Sequence, residues 1–276
     1  MQLQQILKQM GAYHRLKGSR LYDWYWRIAD SRIIEQRDSE VAFYKQLLNG
    51  FQPGGLIFDV GANHGSKTDI FLRLGARVVS VEPDESNQQI LRERFLERRL
   101  SARPVTIVPM AVSDENAVAT MWIDEPGSAK NTLSQKWVDT LKTDQERFGH
   151  ALDFGQRREV KTTTLERLIE QHGLPFFVKI DVEGFEPQVI RGLQQPVPYL
   201  SFEVNLPEFR AEGLECVRLL ARLSSAGRFN YVGESFLGLA LKDWIDADAF
   251  GNVLTNCSEK SIEVIWKAPG KGTPRA

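Results

Sequence analysis

The chain of 276 residues has little cysteine, only Cys216 and Cys257. Two thiols 41 positions apart make neither a disulfide framework nor a zinc site, and they predict reduced thiols in a cytosolic protein. No stretch approaches the roughly 20 apolar residues needed to span a bilayer, so no transmembrane segment is expected. Charge of one sign is not in excess either, with 35 Lys and Arg against 36 Asp and Glu. That balance argues against a domain that holds nucleic acid mainly through phosphates. The opening MQLQQILKQM has no apolar core and no small-residue cleavage site, so no export signal is expected and the location expected is cytoplasmic. What remains is an ordinary globular balance, 42% hydrophobic and 26% charged, which excludes disorder throughout and a collagen-like repeat.

Along the chain, residues 1–50 read as a helical extension. Leu3, Ile6, Leu7 and Met10 recur at helical spacing, as do Leu21, Trp24, Tyr25 and Ile28, and Val41, Tyr44 and Leu48 continue the theme. Its first twenty residues carry Lys8, Arg15, Lys17 and Arg20 and no acid, which reads as a solvated helix face. The cluster Tyr22, Trp24, Tyr25, Trp26 suits packing against the main domain, and these helices leave room for a homo-oligomer. From residue 51 to 268 strands alternate with helices, starting at Leu56–Val60 and ending at Ile262–Trp266. This pattern predicts an α/β domain with a mainly parallel sheet covered on both faces. Residues 124–156 interrupt the rhythm with a mostly polar stretch, expected to be a lid or substrate loop. The tail 269–276 is expected to be loose.

Chemistry is concentrated at two places. The run Asp59-Val60-Gly61-Ala62-Asn63-His64-Gly65 follows a strand and opens a helix, where backbone amides face a polar ligand. The dinucleotide fingerprint G-x-G-x-x-G is not matched, because Asn63 stands where its second glycine belongs. Glu82 ends the next strand, 17 residues after Gly65. A carboxylate there accepts the hydrogens of ribose hydroxyls, so a nucleoside-bearing cofactor is expected.

The second place is Phe176-Phe177-Val178-Lys179-Ile180-Asp181-Val182-Glu183-Gly184-Phe185-Glu186. A central parallel strand should be almost continuously apolar, yet Lys179 and Asp181 interrupt it and alternation puts both on one face. A buried ammonium needs a carboxylate, which Asp181, Asp59 or Glu203 could supply. Ligands in such sheets sit at the carboxyl ends of the strands, where Asp59, Glu82, Asp181 and Glu203 all fall. A carboxylate cluster with His64 could also hold a divalent cation, but these residues lie on different elements, and no metal is expected.

These motifs resemble the FkbM family of S-adenosylmethionine-dependent methyltransferases. The resemblance covers about residues 56–205. It rests on Phe58-Asp59-Val60-Gly61-Ala62-Asn63-x-Gly65, Val81-Glu82-Pro83, Ala111-Val112-Ser113, Thr164-Leu165 and Lys179-Ile180-Asp181-Val182-Glu183-Gly184-Phe185-Glu186. It implies a class I, Rossmann-like fold of seven mainly parallel strands with a reversed last strand. It also implies that Asp59, Gly61, Ala62, Asn63 and Gly65 hold the methionine part of S-adenosylmethionine, with Thr68 helping at its carboxylate. Glu82, beside Pro83, would hold the ribose, and Ala111 and Val112 would lie near the adenine. Asp181 and Glu183 would face the methyl group or its acceptor. His64 and Lys67 are more polar than the family's usual residues there.

The expected activity is transfer of a methyl group to a hydroxyl on a sugar, glycan or natural product. Asp181, Glu183, Glu203 and His64, in that order, are the candidate proton acceptors, and Lys179 completes the charged set. Partners would be a small-molecule or glycan acceptor and no nucleic acid. Two other readings stand beside this one. A nicotinamide-dependent oxidoreductase explains the glycine turn and Glu82 but gives Lys179–Gly184 no role. A non-catalytic nucleoside-binding module would not require the full set of ligand-facing acids.

Overall fold

A computed structural model describes residues 31–96, 105–143, 152, 154–234 and 238–269. The basic start, the aromatic cluster at 22–26 and nearly all of the tail lie outside the described residues.

Seven strands form the main sheet: β1 (Leu56–Val60), β2 (Arg77–Val81), β3 (Val105–Val108), β7 (Phe177–Ile180), β8 (Tyr199–Asn205), β9 (Arg228–Gly233) and β10 (Ser261–Lys267). Their order is β3-β2-β1-β7-β8-β10-β9. The pairs β3-β2, β2-β1, β1-β7 and β7-β8 are parallel, and β10 runs antiparallel to both neighbours. The strand count and the reversed last strand agree with the sequence reading. A second sheet has three strands, β4 (Ala111–Val112), β6 (Gln156–Thr163) and β5 (Val118–Ile123), in the order β4-β6-β5.

Helices cover both faces. On one lie α1 (Ser31–Leu47), α2 (Ser66–Arg73) and α3 (Glu85–Arg94), whose Tyr44, Phe71 and Leu91 pack on Ile57, Val78, Phe177 and Ile265. The Tyr44, Phe71 and Phe177 rings meet with centroids 5.2–5.7 Å apart. On the other face lie α4 (Gln135–Thr143), α5 (Leu165–His172), α6 (Glu186–Arg191), α7 (Arg210–Leu223) and α8 (Ala247–Asn256). Capping fits the sequence: Asp84 accepts from the Ser86 and Asn87 amides, and Thr164 from that of Arg167.

Part of the stretch 124–156 is core. Ser134 accepts from the Trp137 amide and opens α4, whose Trp137, Val138 and Leu141 are buried with Leu152 and Phe154 in the larger core. These apolar positions are diluted by Lys136, Asp139, Thr140 and Lys142, so the stretch reads as polar although one stripe of it is core.

One polar row crosses the face under α1 and α2. Register pairs Ser80 with Asp59, Asp59 with Lys179, and Lys179 with Ser201. All four are at most 3% exposed. This row carries the buried lysine to the carboxyl edge of the sheet.

Candidate active site

The glycine turn and the charged strand meet through one backbone contact. Gly61 has φ +79, and a Cβ built on it would stand 1.8 Å from the Asp181 carbonyl oxygen. Only glycine lets the ends of β1 and β7 come this close. The Asp181 amide donates to the Val60 carbonyl (3.0 Å) and the Gly61 amide to that of Val81 (3.0 Å), so the ends of β2, β1 and β7 form one rim.

A narrow cleft opens along that rim. It contains about 560 Å³ of non-atom space, part of it open to solvent. Of the residues expected to bind cofactor, Gly61, Asn63, Glu82, Pro83, Ala111, Val112 and Asp181 line it, with Glu183. Ala62 and Gly65 are buried behind the turn. Asp59 and Thr68 also face inward: the Thr68 hydroxyl donates to Asp59 Oδ2 (2.6 Å) and lies 2.8 Å from Ser80 Oγ. Thr68 is fully buried, so it stabilises Asp59 rather than standing at the cleft. The motif places Thr68 on the right helix, but not on a particular side of it.

Glu82 is built to receive a hydroxyl. Its Oε2 accepts the Asn63 amide (2.7 Å) and its Oε1 the Asp84 amide (2.8 Å). The Asn87 side chain is a third partner, so of a carboxylate's roughly four acceptor positions about one remains for a ligand. Burial pushes the Glu82 carboxyl up to about 7, against the pull of the Asp84 and Asn63 amides. Beside it, Asn87 lines the cleft and its Oδ1 is buried without a protein partner. Apolar Met110, Met121 and Leu133 line the cleft near Ala111 and Val112. A ribose edge, an unsatisfied amide and an apolar slot fit a nucleoside. Asn87, Met110 and Met121 carry no sequence signal that singles them out.

The acids gather where the charged strand ends. Lys179 Nζ donates to Asp181 Oδ2 at 3.1 Å. Burial lowers the Lys179 ammonium, but Asp181, Glu263, Glu203 and Asp59 outweigh it and hold it charged above the usual lysine range. Burial likewise opposes ionisation of Asp181, and Lys179 overcomes it, so Asp181 stays below the usual carboxylate range. Burial pushes Asp59 up to about 6, against Thr68 and Lys179. Oxygen atoms of Asp181, Glu183 and Glu203 lie within 4.8 Å of one another. Burial and the neighbouring Asp181 push Glu203 up to about 7. Burial, then Asp181, Glu203 and Glu186, push Glu183 well above the ordinary range. Such crowding shares protons or takes a cation, and here the Lys179 ammonium supplies the positive charge.

Glu183 sits in a left-handed turn, φ +55, and Asn63 is the other such non-glycine among the described residues, φ +47. Strain of this kind collects at functional sites. His64 is not within the carboxylate group. Its amide meets Asn63 Oδ1 (2.6 Å), Arg94 donates to its carbonyl (2.7 Å), and its ring lies near Gly127.

A strap formed by residues 124–134 crosses the cleft. The Gly127 amide (3.2 Å) and Asn131 Nδ2 (2.9 Å) donate to Asp84 Oδ2 on one rim. The Thr132 hydroxyl donates to the Glu183 carbonyl (2.8 Å) on the other. From the opposite side α1 reaches the acids. Tyr44 donates to Glu263 Oε1 (3.2 Å), Glu263 pairs in register with Glu203, and Glu40 forms an ion pair with Lys67.

The reversed-strand sheet with a cleft at its carboxyl edge is that of a class I methyltransferase. The family described as the methyltransferase FkbM domain matches residues 59–228, well over half of the chain, and the chain belongs to that family. No curated protein matches the chain. Among solved structures it is similar to the plantazolicin methyltransferase BpumL in complex with SAH, at 11% identity and TM-score 0.40 over 98% of this chain and 100% of that one. It is similar to a TehB-like SAM-dependent methyltransferase from Corynebacterium glutamicum, at 10% identity and TM-score 0.42 over 87% and 99%. It is also similar to a precorrin-6y C5,15-methyltransferase from Geobacter metallireducens, at 10% identity and TM-score 0.37 over 84% and 87%. The cofactor this family implies is S-adenosylmethionine.

Proposed function

We propose that the protein moves a methyl group from S-adenosylmethionine to an oxygen nucleophile, a hydroxyl on a sugar, glycan or natural product. The observation that carries this reading is the Gly61–Asp181 contact, which puts the nucleoside-fitting cleft and the carboxylate group on one rim.

When bound, S-adenosylmethionine supplies a methyl group on a positively charged sulfur. The protein's tasks are then alignment and removal of the acceptor's proton. Glu82, Asn63 and Asn87 hold the nucleoside end. Asp181, kept ionised by Lys179, accepts a hydrogen bond from the acceptor and orients it. Glu183 lines the cleft and takes the acceptor's proton, with Glu203 behind it. A cation seated beside Glu183 favours its ionised form and readies it for that step. His64, near the strap, is assigned no proton transfer.

Thermal shift with S-adenosylhomocysteine against NAD tests the cofactor. Stabilisation by S-adenosylhomocysteine alone is expected, and stabilisation by NAD alone would replace this reading with an oxidoreductase. Absence of both would favour a non-catalytic module. Transfer of a labelled methyl group to a panel of hydroxyl-bearing acceptors then identifies the substrate.

A further inference from the structure

We propose that Thr132 is a positioning residue for Glu183, and that the strap links this setting to Asp84 across the cleft. The inference rests on the reading of Glu183 as an acceptor-side carboxylate. The turn that carries Glu183 is left-handed at Glu183 and Gly184, a shape that an ordinary side chain disfavours and that must be held from outside. Glu186 holds it from below, its Oε1 accepting the Val182 (3.2 Å) and Gly184 (3.3 Å) amides. Thr132 holds it from above through the 2.8 Å bond to the Glu183 carbonyl.

Thr132 is suited to that task and to no capping duty. It is 2% exposed. Its hydroxyl gives its one proton to the Glu183 turn and accepts the Ser134 amide (2.9 Å), while Ser134 caps α4. Its backbone is pinned to Trp122 in both directions (2.8 and 3.2 Å). Asn131, the next residue back, grips Asp84, two residues after Glu82. Adjacent residues thus hold opposite rims, and consecutive Cα atoms cannot separate beyond about 3.8 Å. A strap backbone that lifts off the cofactor rim therefore pulls on the turn that carries Glu183.

The test needs no acceptor. The full chain, carrying ¹³C-labelled glutamate carboxyls and saturated with S-adenosylhomocysteine, is titrated by NMR, with Glu183→Gln identifying the Glu183 signal. The charged groups facing Glu183 are Lys179 on β7, Asp181 just after it, Glu203 on β8 and Glu186 on α6. In Thr132→Val the turn relaxes and the carboxyl moves away from the other acids, so its midpoint falls by about half a pH unit or more. Thr132→Ser keeps the hydroxyl and should titrate like the natural protein. Asn131→Ala should move the midpoint the same way by a smaller amount, and it decides the matter if Thr132→Val does not fold. An unmoved midpoint in folded Thr132→Val, an unmoved midpoint in Asn131→Ala, or a shift in Thr132→Ser as large as in Thr132→Val would overturn the proposal. Normal turnover of Glu183→Gln would instead remove the reading on which it rests, whatever the titration shows.

Discussion

At the residue scale, the acids of the site are distinguished by their neighbours. Asp181 has a lysine at 3.1 Å, while Glu183 has other carboxylates around it. Asp181→Asn and Glu183→Gln should each lower turnover by about 10²–10⁴-fold, the usual range for a proton-handling group. Glu183→Gln should keep its stability, while Asp181→Asn leaves the buried Lys179 ammonium to Glu263, Glu203 and Asp59 and should be folded but less stable. An acceptor screen with labelled cofactor would read the loss, and normal rates in both would refute the assignment. The raised carboxyls predict proton traffic as well. Burial and the neighbouring acids favour the protonated form of Glu183, and a cation beside it lowers its affinity for that proton. Binding of S-adenosylmethionine near neutral pH should therefore release more protons than binding of S-adenosylhomocysteine, which lacks the sulfonium charge. Calorimetry in buffers of different ionisation enthalpy measures the difference. Glu82→Ala should weaken S-adenosylhomocysteine binding by about tenfold or more, the worth of hydrogen bonds to a charged group.

At the scale of elements, much of the architecture was legible. Lys179 and Asp181 broke an apolar strand on one face, and that interruption identified the strand that ends at the site. The Asp59–Gly65 run located the turn, and Glu82 the rim. Asp181, Asp59 and Glu203 were legible as carboxylates for the buried lysine; Glu263 was not, nor were Ser80 and Ser201, which join its row only through register between strands far apart in sequence. Thr132 was similarly silent, since nothing local to it points fifty residues ahead. The short helix α8 was missed because Phe250 and Leu254 are its only fully buried apolar side chains. Two substitutions test the joints between elements. Gly61→Ala would force β1 and β7 apart against the Asp181 carbonyl and should cost several kcal/mol, enough to abolish a folded far-UV signal or lower the melting temperature sharply. Trp137→Ala should cost about 3–5 kcal/mol in denaturant unfolding, because α4 is core. A loss under about 1 kcal/mol would contradict the burial of α4.

At the scale of the molecule, the buried acids set the pH dependence of stability. Burial raises Glu186 to about 8 and Glu82 and Glu203 to about 7, against an ordinary value near 4.5. The folded chain then holds protons that the unfolded chain releases between about pH 4.5 and 8, so stability falls as pH rises through that window. Asp181 acts oppositely: its pKa is lowered, and its contribution is lost only as pH falls through that lower value. The melting temperature of the ligand-free chain should decline from about pH 5 to about pH 8. Glu186→Gln keeps an acceptor for the Val182 and Gly184 amides and cannot ionise, so it should flatten the alkaline half of the decline. A curve as steep as that of the natural protein would show that Glu186 does not titrate there.

The reversed strand β10 lies between β8 and β9 although it is made last. Until residues 261–267 leave the ribosome, the two earlier strands can only wait with open hydrogen-bonding edges. Synthesis of residues 261–267 thus closes the sheet like a keystone. A nascent chain halted before them would present two sticky seams to chaperones and to its siblings.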